Sequence, residues 1–145
     1  MTQEDKRLLL IDLCARLLYG VKGRYCLYDS NGNLTDFGSE PQVVEDVDLK
    51  NDKIWTDETV NGYHPDEFKP FLRPISSMTE EEEDEYWYKI NDGENVPKDF
   101  EGIPTIEQIG TCSYIVLDWL NEHHFDYRGL IEKGLALEAT EGMYQ

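Results

Sequence analysis

The hydrophobic period of the chain changes at Gly20, and that change limits the fold more than any other feature. From Thr2 to Tyr19, apolar residues recur at helical spacing, with Leu10, Leu13, Cys14, Leu17 and Leu18 along one stripe. Thr2 is placed to cap this helix. Glu4 and Asp5 sit in its first turn, where carboxylates complement the helix dipole, and Gly20 supplies the left-handed residue that ends it. Asp12 and Arg16, one turn apart, read as a weak surface pair on the remaining face. Beyond Gly20 the period moves toward two. Val21 to Tyr28 carries β-branched and aromatic residues and runs into Asp29-Ser30-Asn31-Gly32-Asn33, where Asn-Gly is a strong hairpin signal because both residues tolerate positive φ. Leu34 to Phe37, Gln42 to Leu49 and Ile54 to Val60 follow as short strands, punctuated by Lys50 to Lys53 and by Asn61-Gly62. Residues 21–60 therefore read as an antiparallel meander of about four strands, a small curled sheet or half-barrel.

Helical signals then return. His64 to Phe68 reads as a single turn with Pro65 at its first position. Lys69 to Pro74 cannot be helical, because Pro70 and Pro74 push the residues before them to extended geometry. Such a segment is a buried crossover with Arg73 on a nearby carboxylate, or else a strand that binds a partner. Thr79 and Glu82 form a capping box for a helix over Glu80 to Ile90, whose apolar face is Tyr86, Trp87 and Ile90. Asn91 to Gly102 reads as a polar connection. Pro104 to Ile109 leads into a last helix over Thr111 to His123, with Cys112, Ile115, Val116, Trp119 and Leu120 on one face and Asp118 and Glu122 on the other. Leu130 to Leu137 should pack back on the core. The expected fold class is α+β. One globular domain over residues 1–137 would hold an N-terminal helix, the small antiparallel sheet and C-terminal helices packed on one face, with residues 138–145 as a tail.

Composition bears on function through charge. The 31 acidic residues against 13 basic give a net charge of −18, which repels nucleic acid and anionic lipid. The charge is uneven: residues 1–28 carry a net +2, residues 29–70 a net −8, and residues 79–101 a net −8, with Arg73 alone between the two acidic blocks. An apolar share of 39% with 12% aromatic is too high for a disordered acidic chain. No run approaches the roughly 20 apolar residues of a membrane span, and Glu4 and Asp5 stand where a secretory signal would be positive. Cys14, Cys26 and Cys112 are odd in number, widely spaced and flanked by apolar residues, which fits buried thiols in a reducing compartment, the bacterial cytoplasm.

Two blocks, Lys69-Pro70-Phe71-Leu72-Arg73-Pro74-Ile75-Ser76-Ser77-Met78-Thr79-Glu80-Glu81-Glu82 and Asp118 to Ala139 (DWLNEHHFDYRGLIEKGLALEA), are long and specific. With Leu8 to Lys22, they make the chain resemble a family of small uncharacterised proteins carried by gut-bacterial genomes, their mobile elements and phages. Members differ most over residues 24–62. The resemblance implies a bacterial, phage-related setting. It carries no assigned activity, cofactor or catalytic residue.

The remaining constellations are weighed on chemistry. Asp29 to Glu40 nearly matches a calcium loop, but the glycine falls at position 4 instead of 6, so a hairpin is the better reading. Asp118, Glu122, His123, His124 and Asp126 are the one cluster with metal or acid–base potential. Adjacent histidines diverge by about 100° on a helix, however, so a helix end with one imidazole under Phe125 or Tyr127 is favoured. Cys112 with a histidine and Asp126 supplies the atoms of a thiol triad without an evident oxyanion element. No phosphate loop or nucleophile elbow occurs. The expectation is therefore a non-catalytic binding or accessory protein, without cofactor or metal. Its partner would be another protein, met at a surface of Glu80, Glu81, Glu83, Asp84, Tyr86, Trp87 and Tyr88, and self-association is left open. The runner-up is an acidic mimic of nucleic acid that inhibits a basic host protein. A metal- or thiol-dependent hydrolase stands third.

Overall fold

The computed structural model describes residues 1–90, 102–104 and 114–144. The first helix, α1 (Gln3–Arg16), starts where Thr2 Oγ1 accepts the Asp5 amide at 3.0 Å, and a 3-10 turn (Leu17–Tyr19) carries it to Gly20 at φ 68°. Its buried face is Leu9, Leu10 and Leu13 together with Asp12 and Arg16, while Leu18 is 91% exposed. The true stripe is thus turned from the expected one, and it includes an ion pair.

The sheet comprises β1 (Lys22–Tyr28), β2 (Leu34–Phe37), β3 (Gln42–Asp48), β4 (Lys53–Thr56), β5 (Phe68–Leu72) and β6 (Leu137–Glu138). The β1–β2 hairpin forms at the expected place: the Asp29 carboxylate accepts the amides of Asn31 and Asn33, and Gly32 takes φ 80°. This use of Asp29 ties the near-match to a calcium loop to the turn itself. Strand order is β4-β3-β1-β5-β6, with β2 on β1. The sheet is mixed, and it is broader than the four-stranded meander expected from residues 21–60. The meander order is also broken, because β3 pairs with β1 and not with β2, and the added breadth begins at β5, whose buried Phe68, Pro70, Phe71 and Leu72 make it an inner strand beside β1. Pro70 interrupts the donor pattern but not the strand. Opposite it stands Gly23, where an added Cβ would lie 2.5 Å from the Lys69 carbonyl, so only glycine allows the two backbones to approach this closely. β6 pairs in parallel with β5, and the segment expected as a tail returns to the sheet through it.

Past β5 come a 3-10 turn (Ile75–Ser77), α2 (Glu80–Ile90) and α3 (Tyr114–Glu122). Polar residues 91–101, Cys112 and the start of the last helix lie outside the described residues. Among the described residues, two apolar clusters hold the fold. One joins Leu9, Leu10 and Leu13 to Val21, Val44, Ile54, Phe68 and Leu72, and to Leu130, Leu135 and Ala136, which pack back as expected. The other joins Met78, Tyr86 and Trp87 to Val116, Trp119, Leu120, Phe125 and Tyr127. The class is α+β. Among the described residues, no helix is long and apolar enough to cross a membrane.

Candidate functional site

The acidic face of α2 is positioned by its own start. Thr79 and Glu82 form the capping box, with the Glu82 amide on Thr79 Oγ1 at 3.2 Å and the Thr79 amide on Glu82 Oε1 at 3.0 Å. Glu82 does a second job. Arg73 grips it in a two-pronged fork, Nη1 to Oε2 at 2.7 Å and Nη2 to Oε1 at 2.6 Å, so the helix start is bolted to the end of β5. Burial alone pushes the Glu82 carboxyl up, but the fork and the Thr79 bonds outweigh it and hold the group at about 2. The crossover reading of this segment, with Arg73 on a nearby carboxylate, matches this geometry.

With Glu82 occupied, the other acids of the helix point away. Glu80, Glu81, Asp84 and Glu85 are exposed and Glu83 half-buried, and no ion pair among the described residues involves any of them. The aromatic part of the expected contact surface divides. Tyr88 is 59% exposed, whereas Tyr86 and Trp87 lie inside the second cluster, packed edge to face, with Trp87 Nε1 donating to Gly102 O. These two rings are core and not docking surface: with half-buried Ile90 they seat the helix on the second cluster.

The polar cluster expected around the histidines is taken apart by the backbone. Asp118 and Glu122 face solvent. His123 lies against Trp119 and Phe125, and its Nδ1 donates to Trp119 O at 2.9 Å. His124 turns the other way at φ 61° and stacks on Tyr144 with ring centroids 3.6 Å apart. Asp126 is buried and accepts the amides of Leu130 and Ile131 at 2.8 and 2.9 Å, fixing the turn that follows. So the five-residue cluster considered from sequence does not converge, and among the described residues no group of three His, Cys, Asp or Glu side chains is arranged to hold a metal ion. Cys112 falls outside them.

Burial pushes the His124 imidazole down, and the charges of Arg16, His123 and Arg73 push it further, to about 4. A base whose folded value is depressed contributes stability above its unfolded value near 6.5, and that stability is lost as pH falls from there toward 4. Between pH 7 and pH 5 the expected loss is about 2 kcal/mol. The Glu82 contribution lies lower, vanishing only as pH falls through about 2. His124→Asn, which tolerates the left-handed backbone, should flatten the slope between pH 7 and pH 5 in urea titrations. Equal slopes for the two proteins would place the proton uptake elsewhere.

The feature that sequence reading misplaced altogether is the pair on α1. Asp12 and Arg16 are both fully buried, with Nε to Oδ2 at 2.8 Å. Arg128 joins them, its Nη1 on Asp12 Oδ1 at 2.7 Å, and Arg16 Nη2 donates to Phe125 O at 2.7 Å. Tyr127 offers its ring to both guanidinium groups, at 5.5 Å and 4.5 Å. This triad anchors residues 123–128 to α1. On the outer side of that segment opens a cavity of about 670 Å³, whose lining includes Arg73, Thr79, Glu82, His123, Thr140 and Tyr144. The acidic helix start and the cavity adjoin, and both are built on Arg73. No protein-family model, no curated protein and no solved structure matches the chain.

Proposed function

We propose that this chain is a non-catalytic accessory protein of the bacterial cytoplasm that binds a basic partner protein through the acidic face of α2. The observation that carries the reading is the division of labour among the glutamates. Glu82 is committed to Arg73 and to the cap, while Glu80, Glu81, Asp84 and Glu85 stand exposed, with no ion pair among the described residues, on a helix whose start is held in place. Fixed, exposed carboxylates on one face raise the encounter rate with a positively charged surface and penalise an acidic one. Tyr88, exposed beside them, offers the aromatic contact that anchors such interfaces. The resemblance to proteins of phages and mobile elements supplies the setting for this reading.

The test compares the native protein with the variant Glu80→Gln/Glu81→Gln/Asp84→Asn/Glu85→Gln in affinity purification from the native cell, followed by binding to the purified partner. The expected partner is basic. Its affinity should fall at least about tenfold both in the variant and on raising salt, because exposed charges are screened. Capture that is equal for both proteins and unaffected by salt would refute the acidic face. Mimicry of nucleic acid is the special case in which duplex DNA competes for the same partner surface.

A further inference from the structure

None of residues 137–144 is buried, yet the segment is clamped at both ends. At its start, Leu137 and Glu138 pair with Phe71 and Leu72, and the Ala139 amide donates to Leu72 O at 2.8 Å. At its finish, the Tyr144 hydroxyl lies 2.6 Å from Phe71 O and accepts the Lys22 amide at 2.9 Å. Lys22 O is also within 3.2 Å of that hydroxyl, but one proton serves one acceptor well, and the shorter contact is to Phe71. The Tyr144 ring lies on His124, and Lys22 Nζ donates to Met143 O at 3.3 Å. Between the clamps, Thr140, Glu141 and Gly142 are exposed, and the segment forms one wall of the cavity whose other wall carries Arg73, Ser77, Thr79, Glu82 and His123.

Segments that bury little apolar surface and hang on a few polar contacts open at far lower free energy than the body they rest on. A two-residue parallel ladder adds little to resist this. The two clamps also end on adjacent carbonyls of β5, Phe71 O and Leu72 O, so slack at one is transmitted to the other.

We propose that residues 137–144 form a strap that opens as one unit with Tyr144 as its pin, exposing the His123 side of the cavity and the outer backbone edge of β5 while the rest of the chain stays folded. In the open state the carbonyls of Phe71 and Leu72 lose the bonds that this segment gives them. The strap does not depend on which partner α2 binds.

Amide exchange at neutral pH tests this in the whole protein. In the native chain, the Ala139 amide should exchange faster than the α1 amides of Leu10 and Leu13, by opening short of global unfolding. Tyr144→Phe keeps the ring on His124 and removes both hydroxyl bonds, so Ala139 should exchange about tenfold faster, with α1 unchanged. Ala139 is the diagnostic amide, because the Lys22 amide loses its own acceptor in this variant and would respond trivially. Modification of His123 by diethyl pyrocarbonate should rise in parallel, with the exposed His64 as reference. Tyr144→Ala should give a larger increase at both sites. Exchange of Ala139 only at the global unfolding rate, or no change at Ala139 and His123 in either variant, would overturn the strap.

Discussion

Replacing Asp12 by alanine is expected to destabilise the protein by about 3 to 5 kcal/mol, a large share of the 5 to 15 kcal/mol typical of a domain. Asp12 is, among the described residues, the one carboxylate bonded to two guanidinium groups, one of them fully buried. Removing this counter-charge leaves the Arg16 guanidinium in the interior with Phe125 O as its remaining hydrogen-bond acceptor among the described residues. One nitrogen of Arg16, Nη1, already lacks a hydrogen-bond partner among the described residues, so the site has little to spare. Arg128→Ala should cost far less, because Arg128 is 23% exposed and its loss leaves the Asp12–Arg16 pair intact. Asp12→Leu combined with Arg16→Met should recover most of the loss, since an apolar pair of similar volume replaces both charges. Urea denaturation reads all three, and a midpoint for Asp12→Ala within about 1 kcal/mol of the native protein would show that the triad is not what holds residues 123–128 to α1.

The same pair shows where sequence reading stops. Spacing of one turn places Asp12 and Arg16 together on a helix, but it is identical for a solvated pair and a buried one. What buries them is Arg128 and Phe125 O, more than a hundred residues away, and no local pattern encodes that. Local signals, by contrast, were legible in detail. Thr2 caps α1, Asn31-Gly32 closes a hairpin, and Thr79 with Glu82 opens α2, each because the chemistry is complete within a few residues. Arg73 sits between these cases: its need for a carboxylate was readable, and Glu82 lay close enough in sequence to supply it. The sheet was harder to read. Pro70 argues against a central strand, yet Gly23 opposite it removes the side chain that would have kept β5 at a distance. Residues 138–144 carry no hydrophobic period at all, and their return to the sheet rests on a short ladder, the Tyr144 hydroxyl and its ring on His124, and a few further polar contacts. Of the residues expected at the contact surface, Glu80, Glu81, Asp84 and Tyr88 are exposed and Glu83 is half-buried, whereas Tyr86 and Trp87 lie in the core.

Phe125→Ala is the second change expected to cost about 3 to 5 kcal/mol, and it tests the other support of the site. Phe125 is fully buried, with Trp119 stacked at 5.9 Å and the Arg73 guanidinium over its ring at 4.2 Å. Its main chain lies between two bonds to Arg73, whose amide donates to His124 O and whose carbonyl accepts the Asp126 amide, each at 2.8 Å. Arg73 is therefore held from two sides, by the Glu82 carboxylate of α2 and by an aromatic face supplied from the segment after α3. The alanine variant removes one side and leaves a void beside Trp119, so stability falls by the transfer and cavity terms together, measurable by guanidinium denaturation. Phe125→Leu should cost less than half as much, because it refills most of the void. What leucine cannot restore is the cation–π contact, on the order of 1 to 2 kcal/mol for a partly desolvated guanidinium. A double-mutant cycle of Phe125→Leu with Arg73→Met isolates that coupling, since the two changes should then be less than additive. If they add to within about 0.3 kcal/mol, the ring does not position Arg73, and the Glu82 fork orients the guanidinium without it.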